Sequence, residues 1–172
     1  MTKGIIIKRA YDGAVLYEAP KAVTIKEAVE AAVFDGASLV NARLDGANLV
    51  NASLDGANLN GANLNDARLI GARLDGASLD EDTQLPTGEK WSEYLRETLP
   101  ALLTAGGRAL GEVATEEHWS CQNWSNCPMH AAFGAEDISG VPILLRPRAE
   151  QFIQLFDARL IPLDAVSGTV AS

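Results

Sequence analysis

The sequence predicts an α+β protein: a short coiled β-solenoid, capped at its start by a hairpin and a helix, then a small, mostly helical domain. Three observations predict it. Leucine stands at every fifth position from Leu39 to Leu79, with alanine two residues before each, from Ala37 to Ala77. The residues ahead of that run carry a hairpin turn and a helix capping box. The residues after Pro86 switch to apolar side chains at helical spacing.

Gly4 to Glu18 reads as the hairpin, with Ile5-Ile6-Ile7, the turn signal Asp12-Gly13, and Ala14-Val15-Leu16-Tyr17. Thr24-Ile25-Lys26-Glu27 is a capping box that opens a helix running to about Val33. Its apolar face, Ile25, Ala28, Val29, Ala32 and Val33, lies immediately before the leucine run, where an open coil end needs a cover.

A period of five suits neither a helix nor a strand. On a helix successive leucines would walk round by roughly 140° and define no face. On a strand they would flip sides at every repeat. All nine can point inward only if the chain turns after each one, and self-similarity at a fixed period is the mark of a solenoid. The spelling Ala-(Asn/Arg/Ser)-Leu-x-(Gly/Asn/Asp) resembles the pentapeptide repeat, A(D/N)LXX. That resemblance implies a right-handed, quadrilateral β-helix with four repeats per coil, the leucines filling its interior and the alanines lying inside at the corners. Ala32 and Phe34 read as a tenth, degenerate repeat with Phe in place of Leu. Ten repeats from Ala32 to Glu81 then make about two and a half coils, a stub about 12 Å long at strand spacing. Asp82-Thr83-Gln84-Leu85-Pro86 slips the phase by one residue and closes the run.

Beyond Pro86, Trp91, Tyr94, Leu95 and Leu99 mark a helix from Glu89 to Leu99. Pro100 opens a second, to Ala105, which Gly106-Gly107 ends. A third covers Met129 to Phe133. A last one, opened by Pro147, shows Phe152, Leu155, Phe156 and Leu160 on one side. The expected domains are therefore 1–31 (hairpin and capping helix), 32–86 (solenoid) and 87–172 (helical, with a frayed tail).

The net charge of −9 is uneven. Residues 1–31 carry five Lys/Arg against four Asp/Glu, residues 32–86 three against eight, and residues 87–172 six against eleven. An acidic solenoid and tail argue against direct nucleic-acid binding, which needs a basic footprint, and suit a partner with a basic surface. No apolar run is long enough to predict a membrane span. The opening Met-Thr-Lys-Gly-Ile-Ile-Ile-Lys-Arg lacks the pattern of a signal peptide, and two closely spaced cysteines fit a reducing cytoplasm.

Residues twenty apart stack in the predicted coil. Asp55 and Asp75 share one outer row, with Arg73 close by; Arg43 and Asp45 lie over Asn63 and Asn65, a ladder expected to bond amide to amide between coils. Val50 and Ile70 share a third row, read as packing under the chain's own helices or as an exposed docking patch. Asp45, Asp55, Asp75, Asp80, Val50 and Ile70 are the expected partner-binding residues. The segment from His118 to His130 holds both cysteines, both histidines and two of the three tryptophans. His118, Cys121, Cys127 and His130 form a conceivable tetrahedral zinc set, although the outer spacings suit zinc motifs poorly. The default reading makes the segment core, with no cofactor. No nucleophile elbow, phosphate loop or zinc-protease motif occurs, and no catalytic residue is predicted.

The hairpin, helix and repeats, with the Trp-Ser-Cys-Gln-Asn-Trp-Ser-Asn-Cys-Pro-Met segment and Phe152-x-x-Leu-Phe-Asp157, resemble small phage- or prophage-encoded pentapeptide-repeat proteins. The resemblance implies a non-enzymatic protein-binding module in a bacterial cytoplasm. It would be an accessory inhibitor of a host nucleic-acid-handling complex, of the anti-defence (anti-CRISPR) or DNA-mimic kind. The alternatives are a small zinc- or thiol-dependent protein using the His118 to His130 cluster, and a structural or oligomerising component such as a homodimer.

Overall fold

The structure is a computed structural model, describing residues 4–107, 128–157 and 160–161. The chain divides into two compact units, Met1–Ser92 and Glu93–Ser172.

The first unit opens with β1 (Ile5–Lys8) and β2 (Val15–Ala19), paired antiparallel with an irregularity between Ile7 and Lys8. The reversal is made at Asp12-Gly13, where Gly13 takes φ +72° and the Asp12 carboxylate accepts the Ala14 N–H at 3.0 Å. Helix α1 (Ile25–Phe34) follows. The Thr24 hydroxyl accepts the Glu27 N–H at 3.2 Å and the Glu27 carboxylate accepts the Val23 N–H at 2.8 Å, so the capping box closes as its spelling predicts. Ala28, Val29 and Ala32 are buried.

The leucine run winds into a coil. Parallel bridges join Arg43 to Asn63, Asn48 to Arg68, Ser53 to Arg73 and Asn58 to Ser78, each pair twenty residues apart. Each of Leu44, Leu49, Leu54 and Leu59 donates its N–H to the following coil, at 2.8–2.9 Å. Leu39 to Leu74 are all at most 1% exposed, and Ala42 to Ala72 are buried beside them. Each repeat ends in a tight turn in which the alanine N–H returns to the preceding leucine carbonyl, as from Ala47 to Leu44 at 3.0 Å. Every fifth residue from Gly36 to Gly76 has φ between +55° and +73°, the left-handed region reached most readily by Gly, Asn and Asp. The period of five is thus a turn requirement as much as a core requirement. At Glu81 the left-handed residue is missing, and there the phase slips: Leu64 now donates to Gln84, and Leu85 is fully buried in the next place inward.

Two expectations are corrected. Ala32 and Phe34 are not a tenth repeat; both belong to α1, and Phe34 is 90% exposed. The capping box commits the chain to helix through these positions, and Asp35-Gly36, with Gly36 at φ +69°, ends it. Among the described residues the outer asparagines do not bond amide to amide between coils. Asn48, Asn58 and Asn63 each accept the backbone N–H two residues on, at 3.4, 3.2 and 3.0 Å. A short side chain reaches its own turn more easily than its neighbour's amide.

Both ends of the coil are closed by antiparallel pairing, Arg9 with Ala42 at the start and Gln84 with Lys90 at the finish. Arg43 N–H donates to Lys8, Ala10 N–H to Asn41, and the Glu30 carboxylate of α1 accepts the Ser53 N–H at 2.9 Å. A chain running the opposite way cannot continue the parallel ladder, so these contacts end it.

Trp91–Glu93 (α2) starts a helical stretch that becomes a π-turn over Tyr94–Thr98, then α3 (Leu99–Ala105). Leu99 donates to the Tyr94 carbonyl, five residues back, immediately before Pro100, which has no N–H to give. In the second unit α4 (Pro128–Phe133) abuts α3 so closely that a Cβ on Gly106 would lie 2.4 Å from the Ala132 carbonyl oxygen. A 3₁₀ turn (Ile138–Gly140) leads to α5 (Arg146–Asp157), where the Phe152 and Phe156 rings stack at 5.3 Å. Leu99, Leu102, Leu103, Met129, Phe152 and Leu155 are buried. No described helix is long and apolar enough to cross a membrane.

Candidate interaction surface

The coil turns its leucines inward, so its chemistry lies in the rows outside. Asp45 is exposed, beside Gly46, whose N–H donates to Asn65 at 2.7 Å. Asp55 is half-buried and works within the coil: one carboxylate oxygen accepts the Asp75 N–H at 3.0 Å and the other pairs with Arg73. Asp75 is half-buried in the same row.

Asp80 is the most heavily engaged. Its Oδ1 accepts from Gly61 N–H at 2.7 Å, Thr83 Oγ1 at 3.0 Å and Asp82 N–H at 3.2 Å. Partial burial opposes its ionisation, but these hydrogen bonds outweigh that and hold the carboxyl below its ordinary range.

Val50 is half-buried, and Ile70, one coil further on, is 51% exposed, so solvent and not a covering helix meets it. Asp66 is an acidic group that the stacking of outer rows does not single out. It is exposed and left-handed at φ +58°, with its N–H donating to Pro86 at 2.8 Å. Its signal was present in the spelling, since it occupies the fifth position, where a side chain lies at the turn.

Comparison with known families finds the pentapeptide repeats in eight copies, over residues 30–66 and 47–81. Residues 30–81 carry pentapeptide repeats. The matched stretch is under a third of the chain. Neither the curated proteins nor the solved structures offer a match. Pentapeptide-repeat domains act as interaction or structural modules, and that is the class of function the repeats give this chain.

Of the conceivable zinc set, His118, Cys121 and Cys127 lie outside the described residues. His130 is half-buried on α4 with its Nδ1 2.5 Å from the Ala135 carbonyl oxygen, which leaves Nε2 as its open nitrogen. Among the described residues no group of three or more His, Cys, Asp or Glu is placed to hold a metal ion.

Proposed function

We propose that this pentapeptide-repeat protein is a non-enzymatic binding module that presents the outside of a right-handed, four-sided coil to a basic partner surface. In its narrower form the partner is a host nucleic-acid-handling complex, which the protein blocks as an accessory inhibitor. The reading divides the chain into the cap (1–31), the coil (32–86) and the helical domain (87–172). One observation carries it: the leucines from Leu39 to Leu74 fill the interior to 1% exposure or less, so all that the coil offers is on its outside.

Ladder pairing fixes the outer side chains in register, which suits recognition by shape and charge. Asp45 and Asp66 stand exposed near one corner, and Val50 and Ile70 occupy the adjoining side. Acidic groups beside an apolar patch match the usual anatomy of a docking surface. Asp55, Asp75 and Asp80 add negative charge, and the carboxylates of Asp55 and Asp80 also accept backbone N–H groups of the coil. A coil about 12 Å long spans about a third of a duplex turn of about 34 Å, which favours docking on a protein over mimicry of a long duplex.

The test is capture from a bacterial lysate on the immobilised full chain. A nucleic-acid-handling complex is expected to be retained at low salt and released at high salt, and Asp45→Lys with Asp66→Lys should lose it. No partner at either salt, or equal retention by the charge-reversed variant, contradicts the reading.

A further inference from the structure

The sequence contains a single Asn-Gly pair, Asn60-Gly61, in the middle of the coil. In such a pair the glycine nitrogen, having lost its proton, attacks the asparagine Cγ. The N–Cγ bond forms, the Cγ–Nδ2 bond breaks, and ammonia leaves with a proton from the medium. Water then opens the resulting succinimide at either carbonyl, giving aspartate or isoaspartate. Glycine makes the attack easy because it has no Cβ and rotates freely.

Here that freedom is removed. The Gly61 N–H is held by Asp80 Oδ1 at 2.7 Å and by Thr83 Oγ1 at 3.1 Å. Thr83 is fully buried, and its hydroxyl also lies 3.2 Å from the Leu59 carbonyl oxygen. Asn60 is pinned through its backbone, with its N–H donating to Asn58 Oδ1 at 3.2 Å and its carbonyl accepting Asn41 N–H at 2.8 Å. Its side-chain oxygen is buried with no partner among the described residues, so restraint falls on the backbone and on the Gly61 N–H.

Gly61 sits at φ +65°, where an L side chain is strained and only Gly, Asn or Asp is readily accommodated. Asn60 is under no such constraint, since its row holds Val40 before it and Asp80 after it.

We propose that Asn60-Gly61 is a latent deamidation site, which the Asp80–Thr83 clamp protects while the coil is closed and which, once converted, destabilises the closed coil. Asp80 and Thr83 belong to the last turns of the coil, so opening of that end releases the Gly61 N–H. The product places a carboxylate at position 60 in the row of Asp80, one coil away, where like charges repel. The isoaspartate product also lengthens the main chain by one methylene and throws the following repeats out of phase.

The test follows Asn60 by peptide mass mapping of the full chain in mildly alkaline buffer, with isoaspartate scored separately. Conversion in urea should outpace conversion of the folded chain at least about tenfold, because reaction then needs no local opening. Folded Asp80→Ala and Thr83→Val should convert several-fold faster than the parent, and Asp80→Asn, which keeps the acceptor oxygen, should stay close to it. The converted chain should melt below its parent. Equal conversion in buffer and in urea overturns the proposal, as does a folded Asp80→Ala or Thr83→Val that converts no faster than the parent, or a converted chain that melts unchanged. Should both variants unfold, the comparison of the parent in buffer and urea and the melting of its product decide.

Discussion

The residue that closes each repeat sets the terms for its neighbours. Gly46, Gly56 and Gly76 have open space around a notional Cβ, whereas Gly61 and Gly71 lie under the Asn41 and Asn51 side chains, at 2.2 Å in both cases. Asparagine in one coil over glycine in the next is therefore a steric match as well as a shared conformation. Gly56→Ala and Gly61→Ala should each cost about 1–2 kcal/mol for the left-handed backbone, since at Gly61 only the end of the flexible Asn41 side chain has to move aside; urea unfolding of the two variants measures the cost. The spelling showed which positions want Gly, Asn or Asp, but which glycine lies under an asparagine depends on the twenty-residue register. Asp80 carries a pH signature at the same scale. Its carboxyl is held below the ordinary range in the fold, so its contribution is complete above the unfolded pKa and is lost as pH falls through the folded value. Melting temperatures from neutral to acid pH should show a shallower acid decline for Asp80→Asn than for the parent.

Among elements, the coil's two ends show what was legible and what was not. The need for a cover was readable from the unpaired edge a solenoid must present, and the capping box located the helix that helps supply it. The device itself was not readable. Glu30 reaches twenty-three residues along the chain to the Ser53 N–H, and Arg9, just past the end of β1, pairs with Ala42. Such contacts follow from three-dimensional placement and leave no periodic trace. Phe34 shows the opposite failure, since an Ala-x-Phe spelling fits the repeat while the capped helix before it takes precedence. Glu30→Ala should destabilise the first unit by about 1 kcal/mol and speed amide exchange at Ser53, with Ser78 on the following coils unchanged. Equal exchange at Ser53 in parent and variant would remove Glu30 from the cap.

Over the whole molecule, composition and repeat pattern bound function more tightly than single residues do. A chain with net charge −9, a filled coil interior and outer rows locked by ladder pairing has its distinguishing features on its surface. The expected acidic residues prove to be of two kinds, which the sequence could not separate: Asp55 and Asp80 hold backbone groups of the coil, while Asp45 stands exposed to solvent, as does Asp66, an acid outside the expected set whose carboxylate accepts from Asn65 Nδ2 at 3.1 Å. The decisive measurement is residue-resolved NMR of the full chain, reading backbone contacts and amide exchange from residue 37 to residue 86. The account predicts contacts between residues twenty apart, such as Asn48 with Arg68 and Ser53 with Arg73, and slow exchange at Leu44, Leu49, Leu54 and Leu59. Contacts three and four residues apart through this stretch, or fast exchange at those leucines, would contradict it.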